Sequence, residues 1–272
     1  MIKLSFSFTG VLFGALVLLL SGCTKQDLST PADREVSQNK KEKDKTFYGP
    51  ATPMGDGVSR AWVKVDVNGM PVAVGINMTV EAVESLGDAA ANFKLQLPKQ
   101  AGMTLYDHVD IGWNPQGHPP IGTYSVPHFD VHFYMITEEE QMAIQGMAPV
   151  GPGGLQFDAP VPPQFVPLIY VQDPGIIPMM GVHWADLNSP EFQGSSFTRT
   201  FILGSLGGNF IFHEPMVTLA YLEAQPNETI PIPQASQYQK SGYYPQSYSI
   251  SYDKNPGQYT IAVTDLQYRM AP

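Results

Sequence analysis

Apolar and polar residues alternate with a period of two along much of this chain, and this pattern constrains the fold most. Residues 61–67 alternate in this way, Asn68-Gly69 is a strong signal for a two-residue hairpin turn, and residues 72–76 supply the return strand. Successive side chains of a strand point to opposite faces, so the pattern predicts strands with one buried face. The 25 glycines and 25 prolines favour many turns and disfavour a helical bundle.

The same pattern recurs to the end of the chain. Further strands are predicted over residues 93–97, 106–113, 128–136, 197–203, 209–212, 247–253 and 258–268, with residues 204–208 as a turn. The predicted helices are short: residues 80–86, residues 138–145 behind the capping box Thr137-Glu-Glu-Glu140, and residues 216–223. The last segment also fits a strand, and as a helix it would begin at Pro215. Residues 146–180 are dense in Pro and Gly and are expected to form a long ordered loop.

These elements predict a mainly β fold, an antiparallel β-barrel or sandwich with two or three short helices. The expected organisation is a signal peptide (1–22), a polar tether (23–46) and a single β-rich domain (47–272). Residues 24–45 are highly charged and have too few apolar groups to offset the entropy lost on ordering. The net charge of -10 argues against a nucleic-acid partner.

The first residues indicate an exported, lipid-anchored protein. The basic Lys3 precedes an apolar run over residues 4–20, which is shorter than the about 20 residues that a transmembrane helix needs. Leu20-Ser-Gly-Cys23 resembles the bacterial lipobox, which implies cleavage after residue 22 and lipidation of Cys23. The alternative is an uncleaved N-terminal anchor. Either version places the domain in the bacterial cell envelope, with the membrane as a partner and a periplasmic or surface-facing position.

Cysteine usage restricts the chemistry of the domain. Cys23 is the only cysteine, so the domain has no disulfide, thiolate metal site or catalytic cysteine. The chain also lacks the Gly-x-Ser-x-Gly, Walker, Gly-x-Gly-x-x-Gly and His-Glu-x-x-His patterns. Any metal must therefore be held by nitrogen and oxygen ligands.

The predicted strand 128–136 carries the strongest candidate site. One face presents apolar residues, and the other presents His128, Asp130, His132 and Tyr134. Imidazoles, a carboxylate and a phenol are metal ligands and acid–base groups, whereas a strand that only meets water more often carries Thr, Lys, Ser or Glu. The alternative is a solvated or interface face, with Asp130 hydrogen-bonded to a neighbouring histidine.

Strand geometry limits how these residues share an ion. Residues i and i+4 have Cα atoms about 13 Å apart, whereas a histidine and its metal bond reach about 6.5 Å from Cα. His128 and His132 therefore cannot comfortably share one ion, although Asp130 can join either of them. Further ligands must come from elsewhere. The candidates are His183, one of the adjacent His213 and Glu214, and the segment that contains His108, Asp110 and His118.

Four motifs in this order, W-N-P-x-G-H-P-P, P-H-F-D-x-H-F-Y, G-V-H-W-A-D and E-P-M-V-T, resemble an uncharacterised bacterial family of secreted and lipid-anchored proteins. The resemblance covers about residues 60–252. It implies one assembled site formed by His118, His128, Asp130, His132, His183 and Glu214, and it gives His213 no role. The histidine-rich strand is also similar to the His-x-His feature of cupins, but Asp130 intervenes and the nearby glutamates open a helix, so a cupin oxygenase is not supported.

The leading hypothesis is a lipid-anchored envelope protein with a divalent-metal site, zinc being the first choice. The ligands are drawn from His128, Asp130, His132, His183 and Glu214, while His118, Tyr134 and Trp184 orient the ligands or line the pocket. An open coordination position would let the ion activate water, with Tyr134 or a carboxylate moving protons, so enzymatic activity is left open. The alternative is a non-catalytic module that uses the same strand face to bind a small molecule or to form a homo-oligomer.

Overall fold

The computed structural model describes residues 43–145, 154 and 156–272. The predicted signal peptide, the lipidation site Cys23 and almost all of the predicted tether lie outside these residues, as does part of the predicted Pro/Gly-rich loop. Within the described part of the chain, no helix is long and apolar enough to cross a membrane.

The described residues form fifteen β-strands and three short α-helices. The strands are β1 (Lys45–Met54), β2 (Gly57–Val65), β3 (Pro71–Thr79), β4 (Ala91–Gln96), β5 (His108–Asn114), β6 (His128–Tyr134), β7 (Tyr170–Gln172), β8 (Val182–Asp186), β9 (Arg199–Leu206), β10 (Asn209–Thr218), β11 (Asn227–Pro231), β12 (Gly242–Tyr244), β13 (Ser247–Asp253), β14 (Gln258–Thr264) and β15 (Gln267–Arg269). The helices are α1 (Val80–Glu84), α2 (Glu138–Met142) and α3 (Leu219–Glu223), with 3-10 turns at Lys99–Met103, Pro163–Phe165 and Pro190–Gln193.

Two large antiparallel sheets contain most of the strands. The six-stranded sheet has the order β1-β2-β3-β14-β13-β11, and the seven-stranded sheet has the order β4-β5-β6-β10-β9-β8-β7. A small third sheet pairs β12 with β15. Each large sheet ends in two edge strands, so the described residues form a sandwich rather than a closed barrel. The predicted mainly β fold with three short helices is confirmed, and the sandwich is the version that applies.

The inner faces of the two large sheets share one hydrophobic core. Val63, Ile76 and Ile261 of the six-stranded sheet belong to the same buried cluster as Phe129 and Phe133 of β6. Complete burial of such side chains contributes about 1.5–3 kcal/mol each, before the entropy cost of ordering them. This contact fixes which face of β6 points outward, away from the six-stranded sheet.

The outer face of the seven-stranded sheet is covered too, in this case by loops. Tyr124 and Phe197 lie against the ring of His128 at centroid distances of 6.5 and 5.5 Å. At the other end of β6, Ile144 and Ile176 belong to a buried cluster with Tyr134. All seven residues of β6 are therefore buried, and the alternative of a solvated strand face is wrong.

The turn and helix predictions need local corrections. Gly204, predicted in a turn, lies inside β9, and the chain turns at Gly207-Gly208 instead. Pro215 is a residue of β10 rather than the start of a helix. The helix begins later, because the Thr218 hydroxyl accepts a hydrogen bond from the backbone N–H of Tyr221 and caps α3. The predicted loop also contains β7.

His213 of β10 points into the sandwich, away from the outer face. Its Nδ1 lies 2.7 Å from the Tyr106 hydroxyl, and its ring contacts Phe201. Burial lowers the pKa of His213 to about 3, so the imidazole is neutral in the folded protein at neutral pH. The folded state therefore binds fewer protons than the unfolded state between about pH 3 and the ordinary histidine pKa of about 6.5.

We expect His213 to make the fold acid-sensitive. Its contribution is fully present above about pH 6.5 and is lost as the pH falls, by at most about 1.4 kcal/mol per pH unit. His213→Asn should therefore lose less unfolding free energy than the wild type between pH 7 and pH 5, by up to about 2 kcal/mol. Urea unfolding at both pH values measures this difference.

Tyr106→Phe is the matched control for this measurement. It removes the hydroxyl that faces His213 but keeps the buried imidazole, so its pH slope should equal that of the wild type. Parallel slopes for His213→Asn and the wild type would contradict the assignment.

Candidate metal centre

The outer face of the seven-stranded sheet brings together side chains from three strands and one loop. The register of β6 with β10 pairs Phe212 with Tyr134 and Met216 with Asp130, so Glu214 lies beside His132. Further across the sheet, His183 of β8 pairs with Gly204 of β9, which pairs with Phe212. Sequence positions far apart therefore meet beside β6.

His132, His183 and Glu214, which we call the strand triad, form the first cluster. Each residue offers a ligand atom, and these atoms all lie within 4.8 Å of one another. Nε2 of His132 lies 3.3 Å from Oε1 of Glu214, and Nε2 of His183 lies 3.7 Å from Oε2. Nε2 of His132 and Oε2 of Glu214 are buried and have no hydrogen-bond partner.

Phe212 supports both imidazoles of the strand triad. Its ring meets His132 edge-on at 4.9 Å and His183 at 5.5 Å between centroids. The space for this ring depends on Gly204, since a Cβ at position 204 would collide with the ring of Phe212. A glycine at position 204 of β9 is thus required for Phe212 to hold His132 and His183 in place.

Burial disfavours charge on the three side chains of the strand triad. It lowers the pKa of His132 to about 3 and that of His183 to about 4, although the charge of Asp130 partly opposes both shifts. Burial and the nearby Asp130 together raise the pKa of Glu214 well above its ordinary value. Neutral imidazoles are the form that binds metals, whereas the raised pKa of Glu214 works against its metal-binding carboxylate form.

The second cluster consists of His118, His128 and Asp130, which we call the loop triad because His118 lies on the loop between β5 and β6. Its ligand atoms also lie within 4.8 Å of one another. Nε2 of His118 lies 3.2 Å from Oδ2 of Asp130, and Nε2 of His128 lies 3.1 Å from Oδ1. Asn114 donates a hydrogen bond of 2.7 Å to Oδ2 and orients the carboxylate.

The loop triad differs from the strand triad, because contacts between its side chains favour the charged forms of Asp130 and His118. Burial alone would raise the pKa of Asp130, but the close contacts from His118 and His128 outweigh it and hold that pKa below its ordinary value. Burial likewise opposes the protonation of His118, and the carboxylate of Asp130 reverses the effect, so the pKa of His118 is raised.

The spacing of the polar atoms matches that of ligands around one ion. Zinc ligands about 2.0–2.2 Å from the metal in tetrahedral geometry lie about 3.3–3.6 Å from each other. The four nitrogen–oxygen distances in the two triads range from 3.1 to 3.7 Å. Each triad therefore has the donor set and the dimensions to hold a divalent cation.

The structure distributes the predicted site residues over two clusters. All five predicted ligands lie in one of the triads, but His128 and Asp130 lie in a different triad from His132. The single assembled site implied by the family resemblance is therefore not what the geometry provides. His118, expected to orient ligands or line the pocket, offers a ligand atom itself.

Trp184 does not line either triad. Its ring belongs to the core between the two large sheets, and its Nε1 donates a 2.8 Å hydrogen bond to Ser205. The expectation that it lines the site is wrong because it is adjacent to His183 on β8, and neighbouring strand residues point to opposite faces. The same alternation separates His213 from Glu214.

Tyr134 contacts the strand triad through its ring. It stacks on His132 at 5.6 Å, and its hydroxyl donates a 3.2 Å hydrogen bond to the carbonyl oxygen of Met179. Burial raises the pKa of Tyr134 far above its ordinary value, so the phenol stays protonated at neutral pH. The residue can position His132 but is a poor proton carrier there.

His108 and Asp110, offered by the sequence as sources of further ligands, instead belong to a hydrogen-bond network next to Tyr134 that the sequence did not predict. The ring nitrogens of His108 lie 3.0 Å from Oδ1 of Asp107 and 3.1 Å from Oε1 of Gln141. The side-chain N–H of Gln141 donates to Asp110 at 2.7 Å. His108 is thus a buried histidine held by hydrogen bonds, outside both triads.

One family model, described as TTHB210-like (Hypothetical protein TTHB210), matches residues 66–113. This segment is less than a fifth of the 272-residue chain and ends before the first residue of either triad. The match is a local similarity, and the resemblance to a secreted, lipid-anchored family stays a prediction. No curated protein and no solved structure matches the chain significantly.

Proposed function

We propose that this protein binds a divalent metal ion at the strand triad, with zinc as the first choice. The observation that carries the proposal is the pair of buried, unpartnered atoms, Nε2 of His132 and Oε2 of Glu214. A buried polar atom without a partner costs about 1–3 kcal/mol, and a cation between the ligands would remove that cost. Three strands of one sheet hold the ligands, which favours a preorganised site.

The donor set narrows the choice of ion. Two imidazoles and one carboxylate suit zinc, manganese or iron(II), and the absence of a thiolate disfavours copper(I). Three protein ligands leave one coordination position for water or for a small ligand, as in zinc sites that are not purely structural. The proposal is metal binding, and it does not depend on a particular reaction.

The alternative of an assembly module has less support. The polar residues of β6 are covered within a single chain: His128 is 0 % exposed, His132 2 % and Asp130 5 %. A subunit interface needs a face that is free in the monomer. A small ligand bound directly to the triads remains compatible with the metal proposal, since it would occupy the open coordination position.

For the cellular context, we propose a bacterial envelope lipoprotein anchored through Cys23. Support comes from the apolar run over residues 4–20 and the lipobox-like Leu20-Ser-Gly-Cys23. Residues 24–45 would act as a polar tether between the lipid and the β-rich domain. The membrane is then a partner through the lipid alone.

The untagged full-length chain should bind zinc, and His183→Ala and Glu214→Gln should each lose the ion at the strand triad. Free zinc at 100 times the dissociation constant should add about 2.7 kcal/mol to the unfolding free energy of the wild type. In either variant, zinc bound at the strand triad should no longer add to the unfolding free energy. Thermal unfolding with and without zinc, with bound metal measured by mass spectrometry, tests this expectation.

His108→Gln is the matched control, because it changes a buried histidine on the same sheet face outside both triads. It should keep the wild-type response to zinc. A wild-type protein whose bound zinc and melting temperature are the same as those of His183→Ala would refute the proposed ion.

The lipid anchor makes a separate prediction. Cys23→Ser should abolish incorporation of labelled fatty acid and move the protein from the detergent phase to the aqueous phase in Triton X-114 partitioning. Ser21→Ala keeps a small residue before the cysteine and should partition as the wild type does. Fatty acid labelling that persists in Cys23→Ser would overturn the proposed anchor.

A further inference from the structure

The two histidines of the loop triad are held in one tautomer by the backbone. Nδ1 of His128 lies 2.7 Å from the carbonyl oxygen of Val126, and Nδ1 of His118 lies 2.6 Å from that of Pro119. A carbonyl oxygen only accepts hydrogen bonds, so in both rings Nδ1 must carry the proton that it donates. In a neutral imidazole, Nε2 then has a free lone pair.

These lone pairs face the oxygens of a carboxylate. Nε2 of His128 is 3.1 Å from Oδ1 of Asp130, and Nε2 of His118 is 3.2 Å from Oδ2. Both are acceptor–acceptor contacts unless a proton or a metal ion lies between the nitrogen and the oxygen. Nε2 of His128 and Oδ1 of Asp130 are buried and have no hydrogen-bond partner, although they are this close.

A protonated imidazole does not resolve the contact fully. Doubly protonated rings would supply an N–H to the carboxylate, but the contact between His128 and Asp130 lacks the alignment of a hydrogen bond. A metal ion between the rings and the carboxylate satisfies both lone pairs and both carboxylate oxygens.

We propose that His118, His128 and Asp130 form a second divalent-cation site, separate from the ion at the strand triad. Metal-bound histidines usually donate their other ring N–H to a backbone carbonyl or a carboxylate, as both histidines do here. Asn114 supplies the corresponding hydrogen bond to the carboxylate. The ligand class is a bare divalent ion of the zinc type, bound by two imidazoles and one carboxylate.

One ion shared by all six ligands does not fit the strand spacing. His128 and His132 are four residues apart on β6, so their Cα atoms are about 13 Å apart, too far for the two rings to share one ion comfortably. Each triad closes within 4.8 Å by itself, and among the described residues no such group joins ligands from both. The second site therefore goes beyond the proposed function and does not depend on it.

The loop triad should exchange its ion more readily than the strand triad does. His118 is its only ligand outside a strand, and its side chain is 34 % exposed. Loss of His118 leaves only two ligands, which is too few to hold the ion, and loss of Asp130 removes the only carboxylate ligand of the site.

Equilibrium dialysis of the untagged full-length protein against buffered free zinc, with metal and protein quantified, tests the proposal. The wild type should bind two equivalents at saturation. His118→Ala and Asp130→Asn should each bind one, His183→Ala should bind one, and the double variant His118→Ala/His183→Ala should bind none. His108→Gln should still bind two, and far-ultraviolet circular dichroism of each variant checks that it folds.

The outcomes separate this proposal from the preceding one. A single equivalent that survives Asp130→Asn and disappears in His183→Ala would overturn the second site and leave the strand-triad ion standing. A single equivalent that disappears in Asp130→Asn and survives His183→Ala would support the second site and overturn the strand-triad ion. Wild-type protein that binds no zinc at saturation would overturn both.

Discussion

Buried polar atoms without a hydrogen-bond partner lie close together on the outer side of the seven-stranded sheet. On β6, Asp130 lies between His128 and His132, and all three side chains are buried. Such a face costs free energy unless a cation is bound, because each unpartnered buried acceptor costs about 1–3 kcal/mol. The hydrophobic core on the inner side of β6 must offset that cost in the metal-free protein. Metal binding at these clusters would therefore be coupled to folding, as in other proteins whose ligands come from separate segments.

The sequence predicted the strands and the orientation of their side chains well, because period two follows directly from strand geometry. The outward row of His128, Asp130, His132 and Tyr134 and the inward Phe129 and Phe133 are examples. The same rule, applied to His183-Trp184, would have placed Trp184 in the core. Alternation also requires that only one of His213 and Glu214 faces the site, but it cannot say which one, since that depends on the register between β6 and β10.

The sequence could not predict that the ligands divide into two triads, and the reason is different. His118 lies on a loop, where neither period two nor period 3.6 predicts the direction of a side chain. The division also depends on Gly204, whose missing side chain leaves room for Phe212 beneath His132 and His183. In a sequence, a glycine between strand-like residues indicates a turn. That Gly204 leaves space for the ring of Phe212 becomes clear only from the pairing of β9 with β10.

Two cations on one sheet face would not bind independently. Each triad has one carboxylate, so a divalent ion leaves each with a net charge of about +1 once Asp130 and Glu214 are ionised. Like charges held on neighbouring residues of one sheet face repel each other, so the second ion would bind more weakly than the first. Because burial favours the neutral form of Glu214 whereas the histidine contacts favour the ionised form of Asp130, the loop triad has the electrostatic advantage and the strand triad the more rigid ligands.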